Sequence, residues 1–236
     1  MKKTLLVLSF SLFIHLLFSQ NNATEYLLSA TVNDSLKDYP AAKHDLDNAL
    51  QLNPDFDSAL CLLGNITLKE GSYKDAIKLF DKVVKLNQNY FEAFYGRASA
   101  KAQLKDYSGA IKDFSKAILL NSNHAKSYYN RALAKGYLED YPAAILDLNK
   151  AIGIDAKYVT AYYSRAFWED ISGNYDDAVK DYKKVIELDA SYREAYTGMA
   201  TAMYQHGDKT QACEVLKTAA EKGSIMAEEL INKLCN

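Results

Sequence analysis

Histidine, cysteine and glycine, from which many catalytic and metal centres are assembled, are thin in this chain: four His, three Cys and ten Gly among 236 residues. His44, His124 and His206 stand far apart, and no Cys-x-x-Cys or His-x-x-x-His pair offers metal-ligand spacing. The glycines are scattered, several at helix turns such as Gly71, Gly173 and Gly207, so no glycine-rich loop can cradle a phosphate. Carboxylates are spread along solvated faces or stand at cap positions. The constellation that a catalytic centre needs is missing, and the chain reads as non-enzymatic, without cofactor or metal. Excess positive charge is missing as well. With 28 Lys and Arg against 30 Asp and Glu, the surface has no general attraction for nucleic acid or anionic membrane. Low-complexity tracts and linkers are absent, so nothing in the sequence marks a second domain.

Only one long apolar run exists, from Leu5 to Phe18, preceded by Lys2 and Lys3 and followed by the small Ser19. Met1 to Ser19 reads as a secretory signal peptide, too short to span a bilayer comfortably. Leu17 is a poor fit three residues before the cut, which keeps an uncleaved anchor as the alternative. No Cys follows the cut, which argues against a lipid anchor. Removing the segment takes away two of the 28 basic residues and leaves 26 against 30 acidic ones, a net charge of −4. The mature chain, residues 20–236, is then exported, periplasmic or secreted, with no membrane span of its own.

What fills that chain is a repeat. Phe91 to His124 contains two amphipathic runs and a break: Glu92 to about Leu104, with Phe94, Ala98 and Ala102 four apart, then a second run to about Leu120. Asp106 offers the N-cap of the second run, and Ala110, Phe114, Ala117 and Leu120 form its apolar side. Alone, this hairpin could not bury its apolar face. It recurs six times without a gap, at residues 23–56, 57–90, 91–124, 125–158, 159–192 and 193–226. The eighth place is always small: Ala30, Gly64, Ala98, Ala132, Ala166 and Ala200. So is the twentieth: Ala42, Ala76, Ala110, Ala144, Ala178 and Ala212. Small residues at both places let paired helices approach closely. The sixteenth place is a capping type in every repeat (Asp38, Ser72, Asp106, Asp140, Asn174, Asp208). Pro40 and Pro142 lie in first turns, where a missing N–H costs little. Tyr39, Tyr73, Tyr107, Tyr141 and Tyr175 stand beside the caps, placed to plug the hairpin turns.

This pattern resembles the tetratricopeptide repeat. The family motif has an aromatic near the start, small residues at eight and twenty, and a large apolar at twenty-four. The fourth place here is Tyr26, Leu60, Phe94, Tyr128, Tyr162 and Tyr196; the twenty-fourth is Leu46, Phe80, Phe114, Leu148, Tyr182 and Leu216. The family's Pro at thirty-two survives only as Pro54, while Asn53, Asn87 and Asn121 still supply turn chemistry there. The resemblance implies an all-α, right-handed superhelical solenoid of six 34-residue helix-turn-helix repeats with a C-terminal capping helix. Such a solenoid buries one continuous core by stacking neighbours, which fits a single elongated domain. The first repeat departs most from the pattern, Thr31, Asn33, Asp34 and Lys43 standing where its neighbours are more apolar, as expected of an N-terminal cap with a polar outer face. Residues 227–236, beginning AEELINKLC, form the C-terminal cap with Leu230, Ile231 and Leu234 on one side.

The resemblance also implies a concave groove lined by places two, five, nine, twelve and thirteen of each repeat. Tyr95, Tyr129 and Tyr163 occupy the fifth place of three successive repeats, joined by Tyr137, Phe167 and Tyr204. Asn65, Gln103, Lys126 and Asp170 are polar partners, and Asn130 lies beside them. Tyrosine combines large contact area with few rotatable bonds, so this row suits an extended protein or peptide segment. The same rings could equally pack against neighbouring first helices. Family members that grip a C-terminal carboxylate use Lys at the fifth place and Asn at the ninth. Here Cys61 stands at the fifth place beside Asn65, and Tyr95 follows, so that activity is not carried over. A self-associating envelope scaffold without a groove ligand remains the alternative to a peptide-binding module.

Two internal relations complete the reading. Arg97, Arg131 and Arg165 at the seventh place accompany Asp113, Asp147 and Asp181 at the twenty-third. Two repeats without the Arg have Leu63 with Leu79 and Met199 with Val215, and Asp45 opposite Ser29 is the exception. Each Arg is expected to pair with the Asp of its own repeat, across the hairpin and not between repeats. Cys213 and Cys235 lie eleven residues either side of a turn near Ser224, so antiparallel helices would bring them together. The expectation is either a disulfide or two separately buried thiols.

Overall fold

The computed structural model describes residues 22–235, so the signal-peptide reading of Met1–Ser19 lies outside the described residues. Among them the chain is helical, without a strand, and divides into two compact units after Leu120. The first unit contains α1 (residues 22–35), α2 (Tyr39–Leu52), α3 (Asp57–Lys69), α4 (Tyr73–Leu86), α5 (Phe91–Gln103) and α6 (Tyr107–Leu120). The second contains α7 (Ala125–Gly136), α8 (Tyr141–Ile154), α9 (Val159–Ile171), α10 (Tyr175–Leu188), α11 (Arg193–His206), α12 (Lys209–Glu221) and α13 (Ile225–Leu234). Within each unit, successive helices pack antiparallel as hairpins. The first helices of neighbouring repeats also touch, α3 on α5 in the first unit, and α7 on α9 and α9 on α11 in the second. This is the repeat solenoid class expected from the sequence.

The close approach of paired helices follows from the small residues. All six alanines of the twentieth place are fully buried. At the eighth place Gly64 is required, because an added Cβ would meet the Phe80 ring at 2.8 Å. Helix ends follow side-chain chemistry. Asp38 and Asp140 accept from the N–H of Ala41 and Ala143, and Asp106 from Gly109 at 2.9 Å. Ser72, Asn174 and Asp208 hold the N-cap place without making that bond; Asn174 donates to Glu169 instead. Between repeats, Asn53, Asn87 and Asn121 each accept the N–H two residues on, and Asp155 and Asp189 do the same. The fifteenth place takes a left-handed backbone in every repeat: Gly71, Gly173 and Gly207, but also Lys37, Lys105 and Glu139.

The Arg–Asp pairs are bidentate and partly buried. Arg97 Nε and Nη2 donate to Asp113 at 2.8 and 2.7 Å, Arg131 to Asp147 at 2.8 and 2.6 Å, and Arg165 to Asp181 at 2.6 and 2.8 Å. Each Asp is 5% exposed. The expectation that these arginines avoid linking repeats is corrected. Arg97 Nη1 also reaches Asp81, and Arg165 Nη1 reaches Asn149, both in the preceding repeat. A guanidinium has five donors and its own Asp occupies two, so the outer nitrogen is left to bridge. Burial disfavours the charge on Arg97 and Arg165, but the hydrogen bonds to Asp113 and Asp81, and to Asp181, outweigh it and raise both pKa values. Lys101 and Lys135 add a second cation to Asp113 and Asp147 at 2.7 Å. The exception resolves into a knot with uncharged donors, in which Ser29 and Asn33 both donate to Asp45.

The ends of the chain differ from each other. Cys213 and Cys235 form a disulfide with Cα atoms 5.8 Å apart, tying α13 to α12. Ser224 caps α13 by accepting from Ala227. The polar outer face expected of the first repeat is corrected. Asp34 pairs with Lys69 and Lys43 with Glu70, so these polar side chains face the second repeat. The outward side of α1 carries exposed Leu28 and Val32 instead, and Leu36 in the turn after it is exposed too. Composition placed polarity in the right repeat, but only packing decides which side of the helix faces out.

Candidate functional site

Tyr129, Tyr163, Tyr137, Phe167, Tyr204, Lys126 and Asn130 all belong to the second unit, whereas Tyr95 belongs to the first. Tyr95 is half-buried, its ring edge-on to Phe114 at 5.7 Å and stacked on Phe91 at 6.0 Å. In the second unit the fifth-place tyrosines build a ladder. Tyr129 on α7 meets Tyr158, which precedes α9, at 5.0 Å; Tyr163 on α9 meets Tyr192, which precedes α11, at 4.9 Å. Tyr163 also lies edge-on to the core ring of Tyr182 at 5.7 Å. Burial and then the nearby Glu194 carboxylate push its phenol pKa up. These tyrosines therefore serve packing as well as surface, and their half-buried rings join one first helix to the next.

The exposed part of the face lies beside them. On α9, Tyr163, Phe167, Asp170 and Ile171 recur at spacings of three and four, which places them on one stripe. Phe167 and Ile171 are 40% and 48% exposed, and Tyr137 at the end of α7 is 60% exposed. Tyr204 on α11 is half-buried beneath the Lys209 ammonium, 5.3 Å from the ring. Lys126 is exposed and Asn130 half-buried on α7. Within this apolar stripe Asp170 Oδ1 is buried without a hydrogen-bond donor. Burial raises the Asp170 carboxyl above its ordinary range. Ile171 was not singled out from the sequence, although it lies four residues beyond Phe167 and could have been found by that spacing.

Trp168 turns inward beside Phe167, the two rings edge-on at 4.7 Å. It is buried against Gly136, whose missing side chain leaves room for the indole, and stacks on Tyr141 at 5.2 Å. On the opposite side of α9 from the stripe, a cleft of about 630 Å³ lies around Tyr162, Arg165 and Asp181. Its lining mixes Lys180, Lys183 and Lys184 with Asp176 and Glu187, so it favours neither sign of charge. Cys61 is buried, and burial followed by Glu92 and Asp57 pushes its thiol up to about 12, which keeps it unreactive near neutrality. Among the described residues, no group of three His, Cys, Asp or Glu could hold a metal ion, and no helix is long and apolar enough to cross a membrane.

Comparison with known proteins agrees with this geometry. Profiles described as tetratricopeptide repeat match residues 35–104, 91–124 and 125–158, and one described as TPR repeat matches residues 171–207. No curated protein matches the chain. Among solved structures, the MamA protein is 26% identical with a TM-score of 0.68, over 75% of this chain and 94% of that one. YrrB, described as a TPR protein with an unusual peptide-binding site, is 19% identical with a TM-score of 0.72, over 80% and 98%. A tetratricopeptide repeat protein from Parabacteroides merdae ATCC 43184 is 21% identical with a TM-score of 0.71, over 86% and 81%. Repeat by repeat, the small residues at eight and twenty, the large apolar at twenty-four and the antiparallel hairpins they build lead to one assignment: the chain belongs to the tetratricopeptide repeat family.

Proposed function

We propose that the second unit is a non-enzymatic interaction module that holds an extended segment of a partner protein across α7, α9 and α11. The carrying observation is on α9. Phe167 and Ile171 are exposed there, beside an Asp170 oxygen that no donor of the chain satisfies. Asp170 Oδ1 is closed to solvent, so a partner's N–H or cationic side chain would act on the half-buried carboxyl by charge and not by bonding that oxygen. Tyr137 would extend the apolar contact, and Lys126 and Asn130 would meet backbone carbonyls or an acidic side chain. The ladder of Tyr129, Tyr163, Tyr158 and Tyr192 is a rigid floor, so removing those rings would harm stability together with binding.

A displayed random-peptide library tests the reading. Selection on the wild-type chain should enrich apolar peptides carrying a basic or amide group. Phe167→Ala should weaken the selected peptides by roughly tenfold, in the range of an interface hot spot of about 2 kcal/mol. Asp170→Asn should change which polar group is selected. Enrichment identical on a Phe167→Ser/Ile171→Ser variant with unchanged helicity would refute it. We further propose that the chain works outside the cytoplasm. The Lys2, Lys3 and Leu5–Phe18 pattern supports export, and the Cys213–Cys235 disulfide suits an oxidising compartment. Mass determination of the chain recovered from cell fractions tests this; an unprocessed, thiol-reduced chain in the cytosol would reject it.

A further inference from the structure

Places nine, twelve and thirteen of α7, α9 and α11 make up the row around the α9 stripe, and Asp170 is the only residue of that row charged at neutral pH. Its companions there include Tyr137, Phe167, Ile171, Tyr204 and the neutral Gln205. The Asp170 carboxyl is half-buried and makes no hydrogen bond or ion pair with any described residue. Oδ1 is closed to solvent, which leaves Oδ2 as the oxygen a ligand can reach.

The cations of the second unit do not answer it. Arg131 and Arg165 are bonded to Asp147 and Asp181, Lys135 stands 2.7 Å from Asp147, and Lys209 lies over Tyr204. Lys180, Lys183 and Lys184 line the cleft on the opposite side of α9. Lys126 stands ten places earlier in its repeat, about 15 Å along the helix axis. The other titratable groups are engaged or neutral. Glu169 accepts from Asn174, His206 faces Asp208 and Asp176, and Glu194 at the start of α11 acts on Tyr163. From α10 the Tyr182 phenol is in electrostatic reach; burial, then Tyr163 and Asp170, raise it, so it stays uncharged. Burial alone acts on Asp170, and raises it.

A segment laid over Phe167 and Ile171 takes more water from this carboxyl. A neutral segment would deepen the burial and bind the protonated form, whereas a cationic one would favour the carboxylate by charge. The cation also matches the one charge of an otherwise apolar row, which gives the site a specificity that its rings lack. We propose that the partner segment sets a Lys or Arg beside its apolar anchor, and that seating it drives the Asp170 proton into solvent, so that capture is stronger in neutral than in acid surroundings. This rests on reading α9 as the partner-binding face and adds to it the class of partner and its regulation. The direction follows from the carboxyl, which burial raises in the free chain and the cation lowers in the complex. Between those two pKa values binding releases a proton and affinity rises with pH; above the free value it levels off. Each unit of separation corresponds to about tenfold in affinity.

Calorimetry on the full processed chain tests it. The probe is the tightest peptide that selection on the wild type at pH 7 yields, compared with a copy carrying norleucine for each Lys and citrulline for each Arg. Titrations in two buffers of different ionisation enthalpy read the protons exchanged. The selected peptide should be basic, should release a proton on binding at a pH just above the ordinary carboxylate range, and should bind about tenfold more weakly in its neutral copy. Asp170→Asn should remove both the proton release and the preference for the basic peptide, with circular dichroism verifying that the variant is folded. Selected peptides that are neutral, binding with proton uptake or with no exchange, or an Asp170→Asn variant that behaves as wild type overturns the inference. The α9 face still stands as the binding surface in those cases if Phe167→Ser/Ile171→Ser abolishes capture. Capture that survives this double variant, or a selection that yields no peptide, rejects the face and the inference with it.

Discussion

Replacing Arg165 by Met isolates the energetics of the intra-repeat knots. Asp181 is 5% exposed and receives both of its hydrogen bonds from Arg165, at 2.6 and 2.8 Å. Glu169 stands where the two other knots have Lys101 and Lys135, so no second cation reaches Asp181. Met keeps much of the side-chain volume but leaves a buried carboxylate uncompensated, which costs about 3–5 kcal/mol. Arg165 is itself partly exposed, so the lower end applies, about 3 kcal/mol. Arg131→Met differs in one respect. Lys135 remains 2.7 Å from Asp147, so the loss is nearer that of one charged hydrogen bond, about 1.5–2 kcal/mol. Urea unfolding followed by the fluorescence of Trp168, the single Trp of the chain, reads this locally. In a chain of this size, 3 kcal/mol corresponds to about 6–12 °C in Tm. The double variant Arg165→Met/Asp181→Leu removes the stranded charge and should recover at least half of the loss. Equal effects of Arg165→Met and Arg131→Met, or a double variant no better than Arg165→Met, would refute the reasoning.

Gly136→Ala pushes a methyl group into the Trp168 indole, and the overpacking should cost about 1–3 kcal/mol and shift the fluorescence of that residue; an unchanged spectrum would deny the contact. Burial raises the Asp170 pKa, so the folded chain holds that proton more tightly than the unfolded one, and the site lowers stability above its folded pKa. Asp170→Asn should therefore unfold at higher urea than wild type at pH 7, with the gap narrowing as pH falls into the ordinary carboxylate range; a gap that widens on acidification would be contrary. Cys235→Ser opens a 22-residue span and should weaken the C-terminal cap by about 3 kcal/mol, seen as early hydrogen exchange in α12 and α13.

The sequence by itself determined the repeat length, the helix-turn-helix unit and the family, because spacing constrains which side of a helix a residue occupies. It also paired Arg97, Arg131 and Arg165 with Asp113, Asp147 and Asp181, since charges that come and go together at fixed places share a site. Cys213 and Cys235 were legible as a possible pair through their equal distances from Ser224. Tertiary structure decided what periodicity does not encode, namely which neighbour a side chain meets and how deeply. It gave the third arginine nitrogen to the preceding repeat, turned the polar side chains of the first repeat inward, and left Leu28, Val32 and Leu36 outside. It made Tyr129 and Tyr163 part of the packing and left Phe167 and Ile171 exposed. It also placed Lys37, Lys105 and Glu139 in left-handed turns where sequence rules favour glycine, because a hairpin turn clamped by two packed helices sets the backbone angle whatever residue stands there.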